Sequence, residues 1–229
     1  MGFFFAGGVS KGIPRKNLRV FSGKPLIAHA IDVARASRLV DRVVVSTDDP
    51  EIAEEARRFG AEVPFLRPKE LAQDDTPEWL AWRHAIGAVR ADGGGLDIFL
   101  SLPPTSPLRS VEDVDACVSM LLGSDADIVI TAMSSDRNPF FNMISLDAAG
   151  FAHPVVTPAK PIFRRQDAPI VYDMTTVAYA ARPDFILRAS GIFEGKVKAV
   201  FVPAHRAIDI DSEADFEYAE FLAGRPPAR

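Results

Sequence analysis

This sequence predicts an α/β fold, a doubly wound and mostly parallel sheet with helices on both faces, and three observations carry that prediction. Short runs rich in Val, Ile and Phe alternate with longer segments of helical period along nearly the whole chain. Capping residues and glycines or prolines stand at the boundaries between them. The length, 229 residues with 48% hydrophobic and 25% charged, suits one sizeable core or a core with a small appended lobe.

The first strand is GFFFA, and a glycine-rich loop follows it. Residues 25–38 read as a helix because Leu26, Ile27, Ala30, Val33 and Ala34 recur at spacings of three and four, with Pro25 suited to a first turn. VVVS, 43–46, is the next strand, and TDDP, 47–50, caps a helix over 51–59 that Gly60 ends. A short strand is expected over 61–66, a helix over 77–90, a strand over 97–102, and a helix over 111–122 capped by Ser110. Residues 127–132 are again strand-like. Prolines crowd the segment 136–169, which marks it as irregular, an insertion or small lobe rather than a crossover. A regular stretch over 170–180, a helix over 183–189, a strand over 197–202 and a helix over 213–222 complete the chain, with GRPPAR expected to fray.

Composition removes several function classes. The net charge of −5 gives no general basic field, so nucleic acid is not an expected partner. One cysteine, Cys117, excludes an internal disulfide framework, and four scattered histidines offer no zinc spacing. No stretch approaches the length of a membrane span, and the short N-terminal apolar run lacks the basic leader of a signal peptide. The expected compartment is the cytoplasm.

Ligands of such sheets bind at the carboxyl ends of the strands, which directs attention to the loops there. AGGVSKGIPRKN, 6–17, holds three glycines and three basic residues, yet matches neither a Walker A loop nor G-x-G-x-x-G. It reads either as a turn whose backbone N–H groups approach an anion while Lys11 and Lys16 reach separate phosphates, or as a solvated loop with surface lysines. In AIDIDSEADF, 207–216, a strand would turn Ile208 and Ile210 to one face and Asp209 and Asp211 to the other. Two adjacent carboxylates suit Mg²⁺, which takes one or two and fills its remaining positions with water and phosphate oxygens. A helix entry capped by Ser212 with Asp215 is the competing reading, but it leaves Asp209 unexplained. Thr105, Ser106 and Arg109 in LPPTSPLRS and the arginines of FRRQ, 163–166, are weaker candidates. STDD reads as a helix cap, Cys117 as core and His29 as structural.

In order, SKGIPRKN, VVVSTDDPEIAEEARRFGAEVPFLRPKELAQDDT, LPPTSPLR, RRQ and IDIDSEADFEYAE resemble the acylneuraminate (CMP-sialic acid) cytidylyltransferases, a family that includes CMP-activating enzymes for related 3-deoxy-ulosonic acids. The resemblance implies a nucleotidyltransferase fold, with 136–169 as the inserted lobe that mediates homodimerisation. It implies transfer of CMP from CTP to the anomeric hydroxyl of a keto-sugar acid with release of pyrophosphate. Ser10, Lys11, Lys16 and Asn17 would hold the nucleotide and its phosphates, with Arg67 and Thr76 beside it. Asp209 and Asp211 would bind Mg²⁺, Lys16 and Asp211 would serve catalysis, and either Asp211 or a hydroxide held by the metal would take the acceptor's proton. Arg165, Gln166, Tyr172, Tyr179 and Phe193 match places where the family meets its sugar or the partner subunit.

Three positions depart from the family pattern. Gly7 stands where the loop has a phosphate-binding arginine, which leaves Arg15 as a candidate replacement. Pro103 stands where a glutamine contacts the sugar, and Thr175-Thr176 where Asn-Gly is common. The substrate expected from these changes is a modified nonulosonic acid, or a shorter 3-deoxy-ulosonic acid, in place of N-acetylneuraminate. A nucleotide-binding homologue without catalysis, or a nucleotidyltransferase for another sugar, are the alternatives.

Overall fold

Phe3 and Phe4 are adjacent in sequence and packed in two different cores, and that alternation is the architecture in miniature. The computed structural model describes residues 1–7, 12–73 and 75–225. Along the chain come β1 (Gly2–Ala6), the hairpin strands β2 (Val20–Phe21) and β3 (Lys24–Pro25), α1 (Leu26–Ala36), β4 (Val43–Thr47), α2 (Pro50–Arg58), α3 (Glu78–Ala91), β5 (Phe99–Ser101) and α4 (Val111–Leu122). There follow β6 (Ile128–Ser134), the lobe strands β7 (Ile144–Leu146) and β8 (Ala152–Pro154), β9 (Tyr172–Ala181), α5 (Pro183–Arg188), β10 (Val197–Phe201) and α6 (Glu213–Ala223).

Six strands form the main sheet in the order β10-β6-β9-β5-β1-β4. All neighbours are parallel except β9, which runs antiparallel to both β5 and β6. On one face Phe4, Val45 and Leu100 pack with Ile27 and Ile31 of α1 and Val114 and Val118 of α4. On the other, Phe3 and Phe99 stack at 4.9 Å between ring centroids and meet Trp82 of α3. Trp79 Nε1 donates to the carbonyls of Ile186 and Ala189, and Arg83 donates to the same two, so α3 satisfies the otherwise open end of the six-residue α5.

Local signals account for most boundaries. Asp49 caps α2 through Glu51 N, and Gly60 beyond it has φ +85°, where a side chain would be strained. Ser110 with Asp113, and Ser212 with Asp215, form the capping boxes that start α4 and α6. Pro25 differs from expectation in standing at the N-cap position of α1, one residue before its first turn. The strand expected over 61–66 reduces to one bridge, Glu62 opposite Val44. Pro64, two residues on, has no N–H to extend that ladder. The fraying expected of GRPPAR lies, from residue 226 on, outside the described residues.

The segment 136–169 is irregular, as its prolines predict, apart from the β7–β8 hairpin. Buried Asn138 ties its ends: Nδ2 donates to Pro169 O at 2.9 Å, and Oδ1 accepts from Phe140 N. Cys117 is core, and burial pushes its thiol up to about 12. His29 is structural, with Nε2 2.7 Å from Phe21 O and its ring edge-on to Phe21.

Burial holds the His29 imidazole below its usual value of 6.5, and burial acts on His84 in the same direction. Below pH 6.5 the unfolded chain therefore takes up protons that the folded protein resists, and stability falls as pH falls through that range. The midpoint of urea unfolding is expected to drop between pH 7 and pH 5, and His29→Gln to flatten that slope.

Candidate active site

The glycine loop and the acidic segment, almost two hundred residues apart in sequence, are pressed together. Gly12 packs so closely on residue 211 that a Cβ there would lie 1.9 Å from Asp211 O. Beside that contact Ile13, Phe21, Leu26, Ile210, Phe216 and Ala219 form a small separate core, with Ile208 against it. Buried Lys16 donates from Nζ to Ile210 O, and to Asp211 Oδ1 at 3.1 Å. Asn17 Nδ2 donates to Gly7 O at 3.1 Å, which fixes the loop's near shoulder. Ser10 and Lys11, expected nucleotide ligands, lie outside the described residues. Arg15 has the left-handed φ of +54° and sends its guanidinium to Glu51, with Asp49 at 4.0 Å. It is paired with α2, which argues against the replacement role that Gly7 raised for it.

Residues 207–211 join no sheet, contrary to the strand expected there. Ile210 N donates instead to Thr105 O at 2.9 Å, so the Pro-rich loop after β5 carries the acidic segment. Arg206, just upstream, grips buried Asp113 of α4 through two bonds of 2.9 Å. The apolar half of the expected alternation holds, with Ile208 and Ile210 on one core, but the two carboxylates occupy different surroundings. Asp211 has 75% of its side chain exposed. Asp209 is half-buried, and its Oδ1 is fully enclosed without a hydrogen-bond partner.

Around Asp209 stands a group of charges from other elements. Arg67, buried at the ends of β1 and β4, donates from Nη2 to Ala6 O at 3.4 Å and lies 3.6 Å from Asp48. Burial lowers its pKa, and Asp48 opposes the shift. Thr76 Oγ1 donates to Glu70 O at 3.0 Å and so closes the excursion that begins after Arg67. Glu78, the first residue of α3, is exposed to solvent, while neighbouring protein partly desolvates its carboxyl. That partial burial pushes its carboxyl up against the pull of Trp82 and Arg67. Tyr179 of β9 is buried beside Trp82, and its hydroxyl is pushed up to about 12 by burial and by the charges of Glu78 and Asp209.

The remaining sugar-facing expectations separate into two places. Arg165, Gln166 and Tyr172 line a cavity of about 360 Å³ with Arg137 and Asn138, where the lobe leaves the sheet. Tyr179 is seven residues further along β9, opposite Ser101, among the charges near Asp209. Phe193 is 75% exposed in a short turn after α5. Thr175, at a departure from the family pattern, is buried, and its hydroxyl donates to Thr131 Oγ1 at 2.7 Å. Thr176 pairs with Ser106 at 2.7 Å. Sequence reasoning passed over Glu78 and the Asp113–Arg206 fork. An acidic residue in a first helical turn is ordinary for helix electrostatics, and a fork across 93 residues leaves no local trace.

A parallel-dominated sheet with a glycine loop, lysine and carboxylates at its carboxyl ends defines an α/β nucleotidyltransferase. The chain belongs to the cytidylyltransferase family, whose pattern it matches over residues 6–223. It is 36% identical over 222 residues to a CMP-N,N'-diacetyllegionaminic acid synthase of Campylobacter jejuni, covering 95% of this chain and 92% of that one. It is 34% identical over 221 residues to the post-translational flagellin modification protein B of Campylobacter coli, with the same coverage. Among solved structures, CMP:2-keto-3-deoxy-manno-octonic acid synthetase complexed with CTP superposes with a TM-score of 0.70 over 97% of both chains at 17% identity, a likeness of fold.

Gly12→Ala tests the close approach. The Cβ must displace the Asp211 carbonyl or the loop, so pyrophosphate release is expected to fall at least about tenfold, roughly 1.4 kcal/mol in the barrier. The far-UV circular dichroism spectrum should be retained, because the contact lies outside both faces of the main sheet.

Proposed function

We propose that the protein transfers CMP from CTP to the anomeric hydroxyl of a diacylated nonulosonic acid and releases pyrophosphate. The observation that carries this reading is the contact of Gly12 with Asp211, beside which Lys16 Nζ donates to the Asp211 carboxylate. In the reaction the acceptor oxygen bonds to the α-phosphorus, the bond to the pyrophosphate oxygen breaks, and the hydroxyl proton leaves to a base. Asp211 is exposed and would either take that proton itself or, when it holds the metal, leave the role to a hydroxide, with Lys16 Nζ beside it to balance developing phosphate charge. On this reading Arg67 and Thr76 would stand on the nucleotide side and Tyr179 on the acceptor side.

The carboxylates fit Mg²⁺. Asp209 keeps an enclosed oxygen without a partner, and Asp211 is exposed beside it in sequence. Among the described residues no three of His, Cys, Asp and Glu form a metal cluster. Hard oxygen donors, completed by water and phosphate oxygens, are the coordination Mg²⁺ prefers. Asp209 and Asp211 would hold the ion, which when bound neutralises charge on the transferring phosphates.

The acceptor class rests on two supports. The Campylobacter jejuni relative is named for N,N'-diacetyllegionaminic acid. The Thr175 hydroxyl is committed to Thr131, so that position offers no side-chain amide to a sugar. Purified protein with CTP and Mg²⁺ is expected to release pyrophosphate with a diacetylated nonulosonic acid faster than with N-acetylneuraminate, and Asp211→Ala to abolish release. A preference for UTP or GTP, or silence with every ulosonic acid tried, would overturn the reading.

The lobe supports assembly of a homodimer. Ile144, Leu146, Phe151 and Val155 are exposed on it, and Phe163 is 84% exposed. Sedimentation is expected to show a dimer, with Leu146→Asp and Phe163→Asp together shifting it to monomer. No helix among the described residues is long and apolar enough to cross a membrane, which is compatible with the cytoplasm, where CTP is available.

A further inference from the structure

The acidic segment lacks the support of a strand, and contacts outside the sheet hold it instead. The chain leaves the sheet at Val202, whose N donates to Ala132 O at 2.9 Å, and regular structure resumes only at Ser212, the cap of α6. Between them Ala207 packs with Val177 and Val202, and Ile208 lies against the small core around Ile210. Such burial is non-directional, so it keeps the segment down without fixing its rotation or register. Beyond those of Lys16, the long-range hydrogen bonds of 206–211 among the described residues come from one stretch, the loop after β5 and the first turn of α4. Ile210 N donates to Thr105 O at 2.9 Å. Arg206 Nε and Nη2 donate to the two carboxylate oxygens of Asp113, each at 2.9 Å.

Asp113 does more here than a helix cap requires. It is 4% exposed, and its Oδ2 accepts from Ser110 N, which completes the capping box of α4. The box leaves Oδ1 over, and among the described residues that oxygen accepts from Arg206 alone. A planar guanidinium seated on both oxygens of a carboxylate is fixed in orientation as well as in distance. The carboxylate is itself fixed by the helix start, so the direction of α4 is passed to the chain three residues before Asp209.

We propose that Arg206 and Asp113 are positioning residues: their fork and the Thr105 carbonyl form a two-point mount that sets the rotation and register of 207–211, and so the way Asp209 and Asp211 are presented. Neither residue touches nucleotide, acceptor or metal ion in this account. Breaking the fork leaves the segment on the single bond at Ile210, which then opens more often. The consequence for Mg²⁺ rests on the cytidylyltransferase reading above, whereas the mount does not.

The test compares Arg206→Met, Asp113→Asn and the double variant with Arg206→Lys, which keeps the charge but not the fork. Ser110→Ala is the control, since it weakens the cap of α4 and leaves both acceptors of the fork in place. The first readout is hydrogen exchange at the Ile210 amide by NMR, with the amides of α1 as reference, and needs no substrate. Arg206→Met is expected to speed exchange at Ile210 at least about tenfold relative to α1, Arg206→Lys to speed it less, and the double variant to be no faster than Arg206→Met. Exchange at the wild-type rate in Arg206→Met, or effects that multiply in the double variant, would refute the mount whatever the enzyme's activity. The second readout is pyrophosphate release titrated with Mg²⁺. Arg206→Met is expected to raise the half-maximal Mg²⁺ concentration at least about tenfold with a smaller change in the KM for CTP, and Arg206→Lys to restore part of it. Ser110→Ala is expected to lower the urea midpoint and keep the wild-type Mg²⁺ requirement. An unchanged requirement in Arg206→Met, or an equal rise in Ser110→Ala, would show that the fork stabilises the fold without positioning the carboxylates.

Discussion

The close approach of Gly12 to Asp211 is the constraint on which the site depends. A backbone carbonyl occupies the space a side chain at residue 12 would need, so only glycine lets this loop lie on the acidic segment. Ile13 and Ile210 then meet in one apolar cluster, and Lys16 crosses from the loop to Ile210 O and Asp211. The polar arrangement is thus mounted on a hydrophobic contact. Burial of Ile13 and Ile210 supplies non-directional attraction, and the lysine supplies the register.

A second constraint comes from β9. Its antiparallel course carries the chain beyond the carboxyl ends of β5 and β1, where β6 accompanies it to the lobe. The register jumps between Ile130 and Thr131, so Thr131 lies opposite Thr175 while Ile130 lies opposite Tyr179. Residues 176–178 are left without partners on β6, and Thr131 Oγ1 stitches the gap by accepting from Ala178 N and donating to nearby carbonyls. The bulge turns Thr176 toward Ser106 and its carbonyl toward Arg109. A change in one strand's register thereby brings the loop after β5 into the cleft wall.

How much of this was legible in the sequence follows the range of each interaction. The caps at Asp49, Ser110 and Ser212, the strand GFFFA and the core position of Cys117 depend on neighbours a few residues away or on periodicity, and the sequence showed them. The pairing of Ile208 with Ile210 was legible for the same reason, although the strand drawn around them was not formed. Partners far along the chain left no local mark. Arg109 read as one polar residue in a proline-rich turn, and its burial arises only when β9 bulges toward it. Glu78 looked like helix electrostatics, and Arg15, a candidate phosphate ligand by composition, turned out to serve Glu51.

The balance of charge in the cleft bears on how a polyphosphate could bind there. Among the described residues Lys16 pairs with Asp211 and Arg67 lies 3.6 Å from Asp48, so these two cations are already matched by carboxylates. From these described residues a nucleotide triphosphate meets little uncompensated positive charge, and Gly7 contributes none, whereas Lys11 lies outside them. On the proposed reading, a divalent cation on Asp209 and Asp211 reverses the sign of the wall that the phosphates approach. Lys16 would then share Asp211 with the ion, because an ammonium and a dication compete for the same carboxylate. On that reading, glycine at residue 7 in place of an arginine would bear chiefly on initial attraction of the nucleotide, and less on the transfer step proposed for Lys16 and the carboxylates.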